Sequence, residues 1–362
     1  MILVRSITFL LLLSAGLHAE ESAVLVGAIR WDARYSDKGP VKEVEHTLGQ
    51  PKYHFRLPWF AKLEGGDKVH INGDTEEVMQ REIAYAAEAG LDYWAFLDYG
   101  PGSDMTHALD RYRAAKDKRG VRYCFIEEGG RIDGRGPADW PRVIEHFKSP
   151  DYLKVLDGRP LLGVFARPKK YGKEVFEELV RLSLAAGLKR PYLVLMGWNP
   201  PELREKLGFD AMSEYAQGKG YTADQWPYAT LVDQVQHNLW DKWKREKTPC
   251  ITFATAGWDT RPRDERPPGW CPWIKAAPDP TPPDKQMPLI DNVTARPEQI
   301  AAHLQAAVEW TRANRDLNPT GCILIYGWNE NDEGGWLVPT MNADGTANEG
   351  RIKALRGVLR KR

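Results

Sequence analysis

The sequence predicts an α/β fold, a single (β/α)8 TIM barrel with long loops after its first and seventh strands. Three observations predict it. Eight short apolar runs alternate with helical patterns along the chain. The 362 residues, of which 42% are hydrophobic, are enough for one barrel-sized domain with a large core. Most of the runs end in acidic, amide or aromatic side chains, and a barrel carries its chemistry at the carboxyl ends of its strands.

The first four predicted strands each lead into a loop with polar or aromatic residues. They span residues 23–29, followed by Trp31 and Asp32; 92–97, followed by Asp98 and Tyr99; 121–126, followed by Glu127 and Glu128; and 161–165, followed by Arg167. Adjacent residues of a strand point to opposite faces, so only one of Glu127 and Glu128 is expected to face a cleft. Between the first two strands, Asp74 is the predicted N-cap of a helix that Gly90 ends.

The last four predicted strands repeat this arrangement. They span residues 192–196, followed by Trp198 and Asn199; 209–213, followed by Glu214 and Tyr215; 250–254, followed by Trp258 and Asp259; and 322–326, followed by an acidic stretch. Apolar residues at helical spacing predict helices between them, and a basic helix over 352–359 is expected to pack beneath the barrel.

Two long loops are expected to shape the open face. Residues 33–73 have no sustained periodicity but contain an aromatic stretch with Trp59, which suits a cleft wall. The Pro-rich segment that runs to about residue 294 after the seventh strand should cover the same face.

The acidic stretch after the eighth strand carries the strongest functional pattern. Trp328, Asn329, Glu330 and Glu333 are followed by two glycines and Trp336. Glu330 and Glu333 are three positions apart, which in a turn places their Cβ atoms roughly 5 to 6 Å apart on one side. A carboxyl pair at this range suits a retaining glycosidase, since mutual repulsion keeps one acid protonated while the other stays ionised. The alternative is a solvated acidic loop or a helix N-terminus whose dipole the acids complement.

Composition narrows the choice of partner. The formal net charge is zero, which removes the electrostatic argument for a nucleic acid or an anionic membrane surface. The 14 Trp, 14 Tyr and 10 Phe residues, many of the Trp in predicted loops, suit stacking on sugar rings. The histidines do not cluster in the sequence with other ligands, so no metal site is predicted.

The N-terminus has the pattern of a secretory signal peptide over residues 1–20, with cleavage near Ala19. The mature domain would then span 21–362, secreted or periplasmic and without membrane insertion, and we expect a monomer. In an oxidising compartment, Cys250 and Cys322, at the starts of consecutive strands, could form a disulfide bridge.

Three segments resemble glycoside hydrolase family 99 and its WbsX-type relatives. They are Trp328-Asn-Glu-x-x-Glu-Gly with the following Leu337-x-Pro339, the Asp-Gly-Arg-Pro turn at 157–160 with its strand, and Gly-Trp-Asp-Thr-Arg-Pro-Arg at 257–263. The resemblance covers roughly residues 24–340. Two positions depart from the acidic motif: Asn331 stands in place of Trp, which could alter a sugar subsite, and Val338 in place of Glu.

The resemblance implies endo-acting, retaining cleavage of an α-mannoside-type linkage in a polysaccharide or oligosaccharide, without a metal or cofactor. Glu330 would be the base that activates the sugar 2-hydroxyl, and Glu333 the acid that protonates the leaving oxygen. The other candidate substrate-binding residues are those at strand ends and in the aromatic loops: Trp31, Asp32, Trp59, Asp98, Tyr99, Glu127, Glu128, Arg167, Trp198, Asn199, Glu214, Tyr215, Trp258, Asp259, Trp328, Asn329 and Trp336.

Two alternatives remain from the sequence. The Asn331 and Val338 departures would also fit a carbohydrate-binding or polysaccharide-assembly protein that has lost turnover. A barrel hydrolase acting on a non-sugar ester or amide lacks a nucleophile, because no Gly-x-Ser-x-Gly motif occurs and no Cys follows a strand beside a His.

Overall fold

The computed structural model describes residues 23–360, apart from 198, 223, 276–281, 283–284, 287–288 and 290. Eight parallel strands form a nearly closed barrel, which confirms the predicted fold class. The strands, numbered β1–β8 in chain order, are Leu25–Arg30, Tyr93–Leu97, Arg122–Glu128, Arg159–Phe165, Tyr192–Met196, Ala211–Ser213, Thr252–Thr255 and Cys322–Tyr326. The predicted signal segment, residues 1–20, lies outside the described residues.

The strands pair in chain order, and the ring closes by two contacts of different extent. β8 pairs with β1 over four positions, beginning with Cys322 opposite Leu25. Between β6 and β7 the pairing is reduced to a bridge at Met212, whose N–H donates to the Pro249 carbonyl at 2.9 Å and whose carbonyl accepts from Ile251 at 2.8 Å. The β6–β7 seam is therefore the least hydrogen-bonded junction of the barrel.

Helices surround the barrel. Numbered α1–α12 in chain order, they are Pro40–Leu48, Glu76–Ala89, His107–Ala114, Gly129–Arg135, Trp140–Lys148, Lys173–Ala185, Pro201–Leu207, Tyr228–Val235, Lys242–Glu246, Arg261–Glu265, Pro297–Ala313 and Gly350–Leu359. A π-helical turn, Gln236–Asp241, joins α8 to α9. Helix α12 packs against α2 and α11 in the outer ring, so the prediction that it lies beneath the barrel is wrong. Among the described residues, no helix is long and apolar enough to cross a bilayer.

The insertion after β1 is more ordered than its sequence indicated. It contains α1, a 3-10 turn at Pro51–Arg56 and a hairpin of Lys62–Gly65 with Lys68–His70. Its apolar side chains form a small cluster of their own, built mainly from Val41, Val44, Leu48, Tyr53, Leu57 and Ile71. The signal for α1 was present in the sequence as Pro40 at the helix start, where a missing N–H costs nothing, followed by apolar residues at helical spacing.

Side chains alternate between the barrel interior and the helix layer, and this alternation positions the site. The interior contains Tyr93, Ala95, Cys124, Ile126, Leu161, Gly163, Val194, Met196, Ser213, Ile251 and Leu324. The same rows continue two residues further along each strand to Leu97, Glu128, Phe165, Tyr215 and Tyr326 at the open end. Residues between these positions, such as Glu127 and Glu214, point away from the barrel axis.

Two predicted details of the elements are wrong. The N-cap of α2 is Thr75, whose hydroxyl accepts from the Val78 N–H at 3.1 Å, and not Asp74. The four cysteines are buried free thiols. The β7–β8 register places Cys322 opposite Ile251, so Cys250 points to the other face of the sheet and cannot bridge to it.

Candidate active site

The two glutamates lie on a tight turn directly above β8. Asn329–Glu330 pairs with Gly335–Trp336 as a two-residue hairpin, and Asn331–Glu333 between them forms a 3-10 turn. Side chains three positions apart eclipse each other in this geometry, so Glu330 and Glu333 emerge on one side. Gly334 reverses the chain with φ +86°, and a Cβ there would lie 2.4 Å from the Asp259 nitrogen. The turn depends on glycine at this position.

Both glutamates line a cleft of about 440 Å³ at the open end of the barrel. Its walls combine the continued interior rows with the loops after β1, β6 and β7. They comprise Trp31, Leu97, Tyr99, Glu128, Phe165, Tyr215, Ala216, Gly218, Gly220, Tyr221, Trp258, Arg263 and Trp270. A cleft of this size with aromatic walls and a few convergent polar groups is typical of a small-molecule or sugar site.

Glu333 is held by three donors. The Tyr326 hydroxyl donates to Oε2 at 2.5 Å, and the Tyr221 hydroxyl donates to Oε1 at 2.5 Å. Arg263 forms an ion pair with the same Oε1 and bonds Asp332 through Nε at 2.7 Å. The Glu333 carboxylate is thereby fixed in position.

Glu330 lies deeper and has fewer partners. It is only 3% exposed and accepts a hydrogen bond from the Tyr215 hydroxyl. Burial raises the pKa of Glu330 well above its usual value, the charge of Glu333 raises it further, and Arg263 and the Tyr215 hydroxyl oppose the shift. The two carboxyls are close enough for their charges to interact. The neutral form of Glu330 is therefore favoured relative to that of a glutamate in water.

Aromatic side chains surround the acids. The Trp31 indole donates to the Tyr99 hydroxyl at 2.8 Å and packs edge-on against Trp270, with ring centroids 5.7 Å apart. Arg263 lies over the Trp31 ring at 5.3 Å, and Tyr221 packs against Trp258 at 6.2 Å. These contacts fix the orientation of the rings in the cleft wall.

The structure brings together seven of the sequence-predicted site residues. Those that line the cleft are Trp31, Tyr99, Glu128, Tyr215, Trp258, Glu330 and Glu333. Glu128 is the member of the Glu127–Glu128 pair that faces the cleft, where it forms an ion pair with Arg131 at 3.2 Å.

A second set of predicted residues supports the turn from behind. Asn329 accepts from the Trp31 N–H at 2.9 Å and donates to Asp32 at 2.9 Å. Asp32 also pairs with buried Arg30 at 2.7 Å. The Trp328 ring is fully buried, and its indole donates to Glu82 at 2.9 Å. These residues contact the protein interior.

Asp98 and Glu127 lie under the helix layer with Asp139, and two arginines neutralise the three acids. Arg142 pairs with Asp98 and, at 2.8 Å, with Asp139. Arg135 bonds Glu127 at 2.6 Å. Burial and the neighbouring Asp98 raise the pKa of Glu127. The three acids are therefore paired with cationic side chains of the protein itself.

Other predicted residues lie outside the cleft. Asp259 pairs with Arg56 and with Arg261 at 2.6 Å, and these arginines lower its pKa to about 2 against the cost of burial. Trp336 is buried beneath Arg351, whose guanidinium lies 3.6 Å from the ring centroid. Trp59 packs against Phe60 and Tyr85, while Arg167 is exposed. Asn199 and Glu214 line a neighbouring cavity, and Trp198 is outside the described residues.

The two departures from the acidic motif are both buried. Asn331 accepts from Arg34 at 2.6 Å and donates to the Arg56 carbonyl at 2.5 Å, so it contacts the insertion after β1 and not the cleft. Val338 is also buried and does not line the cleft. Neither departure therefore changes a residue of the cleft wall.

Sequence reasoning missed four polar or aromatic residues that line the cleft, Phe165, Tyr221, Arg263 and Trp270, and also Tyr326, which bonds Glu333 from beneath it. Tyr326 was assigned only to the strand, although its place in the interior row ahead of the turn was a usable signal. Arg263 ends the third segment of the family resemblance and was not selected as a site residue. Tyr221 and Trp270 are in irregular loops, where no periodicity indicates direction.

Comparisons with known proteins agree with this architecture. The family model described as glycosyltransferase WbsX matches residues 138–347. A structure of the GH99 endo-α-mannosidase from Bacteroides thetaiotaomicron in complex with bis-tris propane has a TM-score of 0.56 at 15% identity, covering 93% of this chain and 95% of that one. A second structure described in the same words, without that compound, gives 0.51 at 13% identity, covering 94% and 98%. None of the curated proteins matches the sequence. At these identities the structural likeness concerns the fold.

Proposed function

Since this chain belongs to the glycosyltransferase WbsX family, we propose that it is a carbohydrate-active enzyme, a glycoside hydrolase that cleaves α-mannoside-type or related linkages in a glycan. The observation that carries the proposal is the Glu330–Glu333 pair, whose charges interact, at the floor of an aromatic-walled cleft. Because the N-terminal sequence has the pattern of a signal peptide, we also propose that the protein acts outside the cytoplasm.

The closeness of the two carboxyls favours retention of anomeric configuration. Inverting enzymes separate their carboxyls by about 6.5 to 9.5 Å to admit a water between them, whereas retaining enzymes keep about 5 to 5.5 Å. Glu330 and Glu333 are three positions apart on one side of a 3-10 turn, and their charges interact. The pair fits the closer arrangement.

We propose that Glu330 deprotonates the sugar 2-hydroxyl, which attacks the anomeric carbon, while Glu333 protonates the departing oxygen. Water then attacks the anomeric carbon and opens the resulting anhydro ring; Glu333 takes a proton from the water, and Glu330 returns its proton to the 2-oxygen. Glu330 must be ionised to act as the base, although its burial raises its pKa. Tyr326, Tyr221 and Arg263 hold the Glu333 carboxyl that donates a proton in the first step and accepts one in the second.

The family description favours a second outcome of the same chemistry. If an acceptor hydroxyl replaces water in the second step, the product is a transferred glycosyl unit and not a free reducing end. Both outcomes use the same acid pair and differ only in the group that enters.

The test is to incubate the purified chain with α-mannans and other bacterial, fungal and algal polysaccharides, recording product size and anomeric configuration by NMR. Oligosaccharides released with retained configuration would support hydrolysis, and products extended by an added acceptor would support transfer. Binding to glycans with no product from any polysaccharide would replace the enzymatic proposal with a carbohydrate-binding role.

A further inference from the structure

A second cavity, of about 410 Å³, lies beside the catalytic cleft, and we refer to it as the lateral cavity. One segment, residues 213–218, separates the two spaces. Glu214 and Gln217 line the lateral cavity, whereas Tyr215, Ala216 and Gly218 line the cleft. Glu214 points away from the barrel axis because Ser213 and Tyr215, on either side of it, continue the interior row. A ligand in the lateral cavity would be one layer of backbone away from the cleft.

The outer wall of the lateral cavity is the helical segment that follows β6. The π-helical turn Gln236–Asp241 contributes Asn238 and Leu239, and α9 contributes Lys242 and Trp243. π-helical turns are rare and are frequent at functional sites. The extra residue in this turn changes which side chains of the helix face the cavity.

Four groups around the lateral cavity have unused hydrogen-bonding capacity among the described residues. Glu214 is 3% exposed, yet its only hydrogen bond is from the adjacent Tyr215 N–H at 3.0 Å. Asn199 donates to the Met196 carbonyl at 2.9 Å, which leaves its side-chain oxygen free to accept. The Trp243 indole N–H and the Lys242 ammonium have no hydrogen-bond acceptor among the described residues, and both side chains line the cavity. These groups are therefore available to a ligand or to water in the cavity.

We propose that the lateral cavity is a second sugar-binding site, which takes a neutral glycosyl unit. Sugar hydroxyls both donate and accept, which fits a cavity that offers the acceptor of Asn199, the donors of Lys242 and Trp243, and the carboxyl of Glu214. The identity of the ligand rests on the proposed function, because a site one backbone layer from the cleft suits another unit of the same glycan.

The protonation of Glu214 gives the site a specific signature. Burial raises the pKa of this carboxyl to about 8, and the Tyr215 N–H only partly opposes the shift. At neutral pH it is therefore a carboxylic acid that can donate one hydrogen bond and accept others. Lys242 is the other charged group among the described residues that line the cavity. Above pH 8 the donor is lost as the acid ionises.

The test is calorimetric titration of the full chain with the methyl α-glycosides of mannose, glucose and galactose at pH 6.5 and 9. We expect two sites per chain for at least one glycoside. Glu214→Leu should weaken one site by about tenfold or more, since it removes two hydrogen-bonding oxygens. Glu214→Gln, which resembles the protonated acid, should retain that site at pH 6.5 and, unlike the unmodified protein, should keep the same affinity at pH 9.

Controls separate this proposal from the catalytic one. Trp258→Ala, in the cleft, should remove the other site and leave the Glu214-dependent site intact. If Glu214→Leu does not fold, Lys242→Met carries the same test because the Lys242 side chain is only half-buried. A single site in the unmodified protein, or two sites that Glu214→Leu and Lys242→Met both leave unchanged, overturns the proposal. Absence of hydrolysis with the Glu214-dependent site present would count against the catalytic proposal alone.

Discussion

Arg263 and Glu333 form a buried ion pair at the floor of the cleft, with the guanidinium 4% and the carboxylate 7% exposed. The arginine comes from helix α10, which follows β7, and the glutamate from the turn after β8, so the pair joins the segments that follow two neighbouring strands. Arg263 also bonds Asp332 at 2.7 Å. One guanidinium thus compensates two carboxylates of the catalytic turn.

Replacing Arg263 with Met should destabilise the fold and shift the pH profile. Breaking a buried ion pair by removing one partner typically costs about 3 to 5 kcal/mol, because the remaining charge is left uncompensated. The loss also removes the group that lowers the pKa of Glu330, so the acidic limb of activity should move to higher pH. Urea denaturation and pH–rate profiles measure the two effects. Arg263→Lys keeps the charge but loses the two-armed guanidinium, so its stability should lie between those of the unmodified protein and Arg263→Met. If Arg263→Met is as stable as the unmodified protein, the ion pair does not stabilise the fold.

Much of the fold was predictable because strand runs, turn glycines and strand-end polar residues are local signals. The eight strands match within a few residues, and the Glu330–Glu333 turn follows from spacing and its glycines. The residue that pairs with an acid at the end of a strand could not be predicted in this way. Asp98 and Asp259 have the same local pattern as a site residue, but arginines 44 and 203 positions away take up their charges. No local pattern predicts which distant arginine reaches a given carboxylate, so these acids could not be separated from cleft residues by sequence.

Glu214 predicts how stability depends on pH. Its folded pKa of about 8 lies above an unfolded value near 4.5, so the folded state binds its proton more tightly. This contribution is complete below pH 4.5 and is lost as pH rises towards 8, with a total on the order of a few kcal/mol. Glu214→Gln cannot titrate, so its stability curve should be flatter between pH 5 and 8. Parallel curves for the two proteins in guanidinium titrations would show that Glu214 ionises normally.

His303 should make stability depend on pH in the opposite direction, with stability lost as pH falls. Its ring is 3% exposed and stacks on Trp240 with centroids 5.5 Å apart, and neither ring nitrogen has a hydrogen-bond partner among the described residues. Burial lowers its pKa to about 4, so its stability contribution is present above pH 6.5 and is lost as pH falls towards 4, by about 3 kcal/mol in all. His303→Phe should remove this loss and stabilise the protein by about 1 kcal/mol at pH 7. His237→Phe, at an exposed position, is the control and should leave the acid limb unchanged.

The acid pair makes the most direct prediction. Glu330→Gln and Glu333→Gln should each reduce the rate of glycosidic cleavage by about 10² to 10⁴-fold, the usual contribution of a general acid or base, while glycan binding stays within a few fold. Glu88→Gln, on the outer helix layer, is the matched control and should retain full rate.

The pH dependence distinguishes the roles within the pair. A base must be ionised, and burial and Glu333 raise the pKa of Glu330, so kcat/KM should increase with pH through a value above the usual range for a glutamate. In Glu333→Gln the repulsive charge is absent, so the residual activity should rise at lower pH than in the unmodified protein. If that limb stays in place in Glu333→Gln but disappears in Glu330→Gln, burial and not the charge of Glu333 sets the pKa of Glu330. Full turnover by Glu333→Gln would exclude it as the acid and leave Tyr221 and Tyr326 bound to a group that only shapes the cleft.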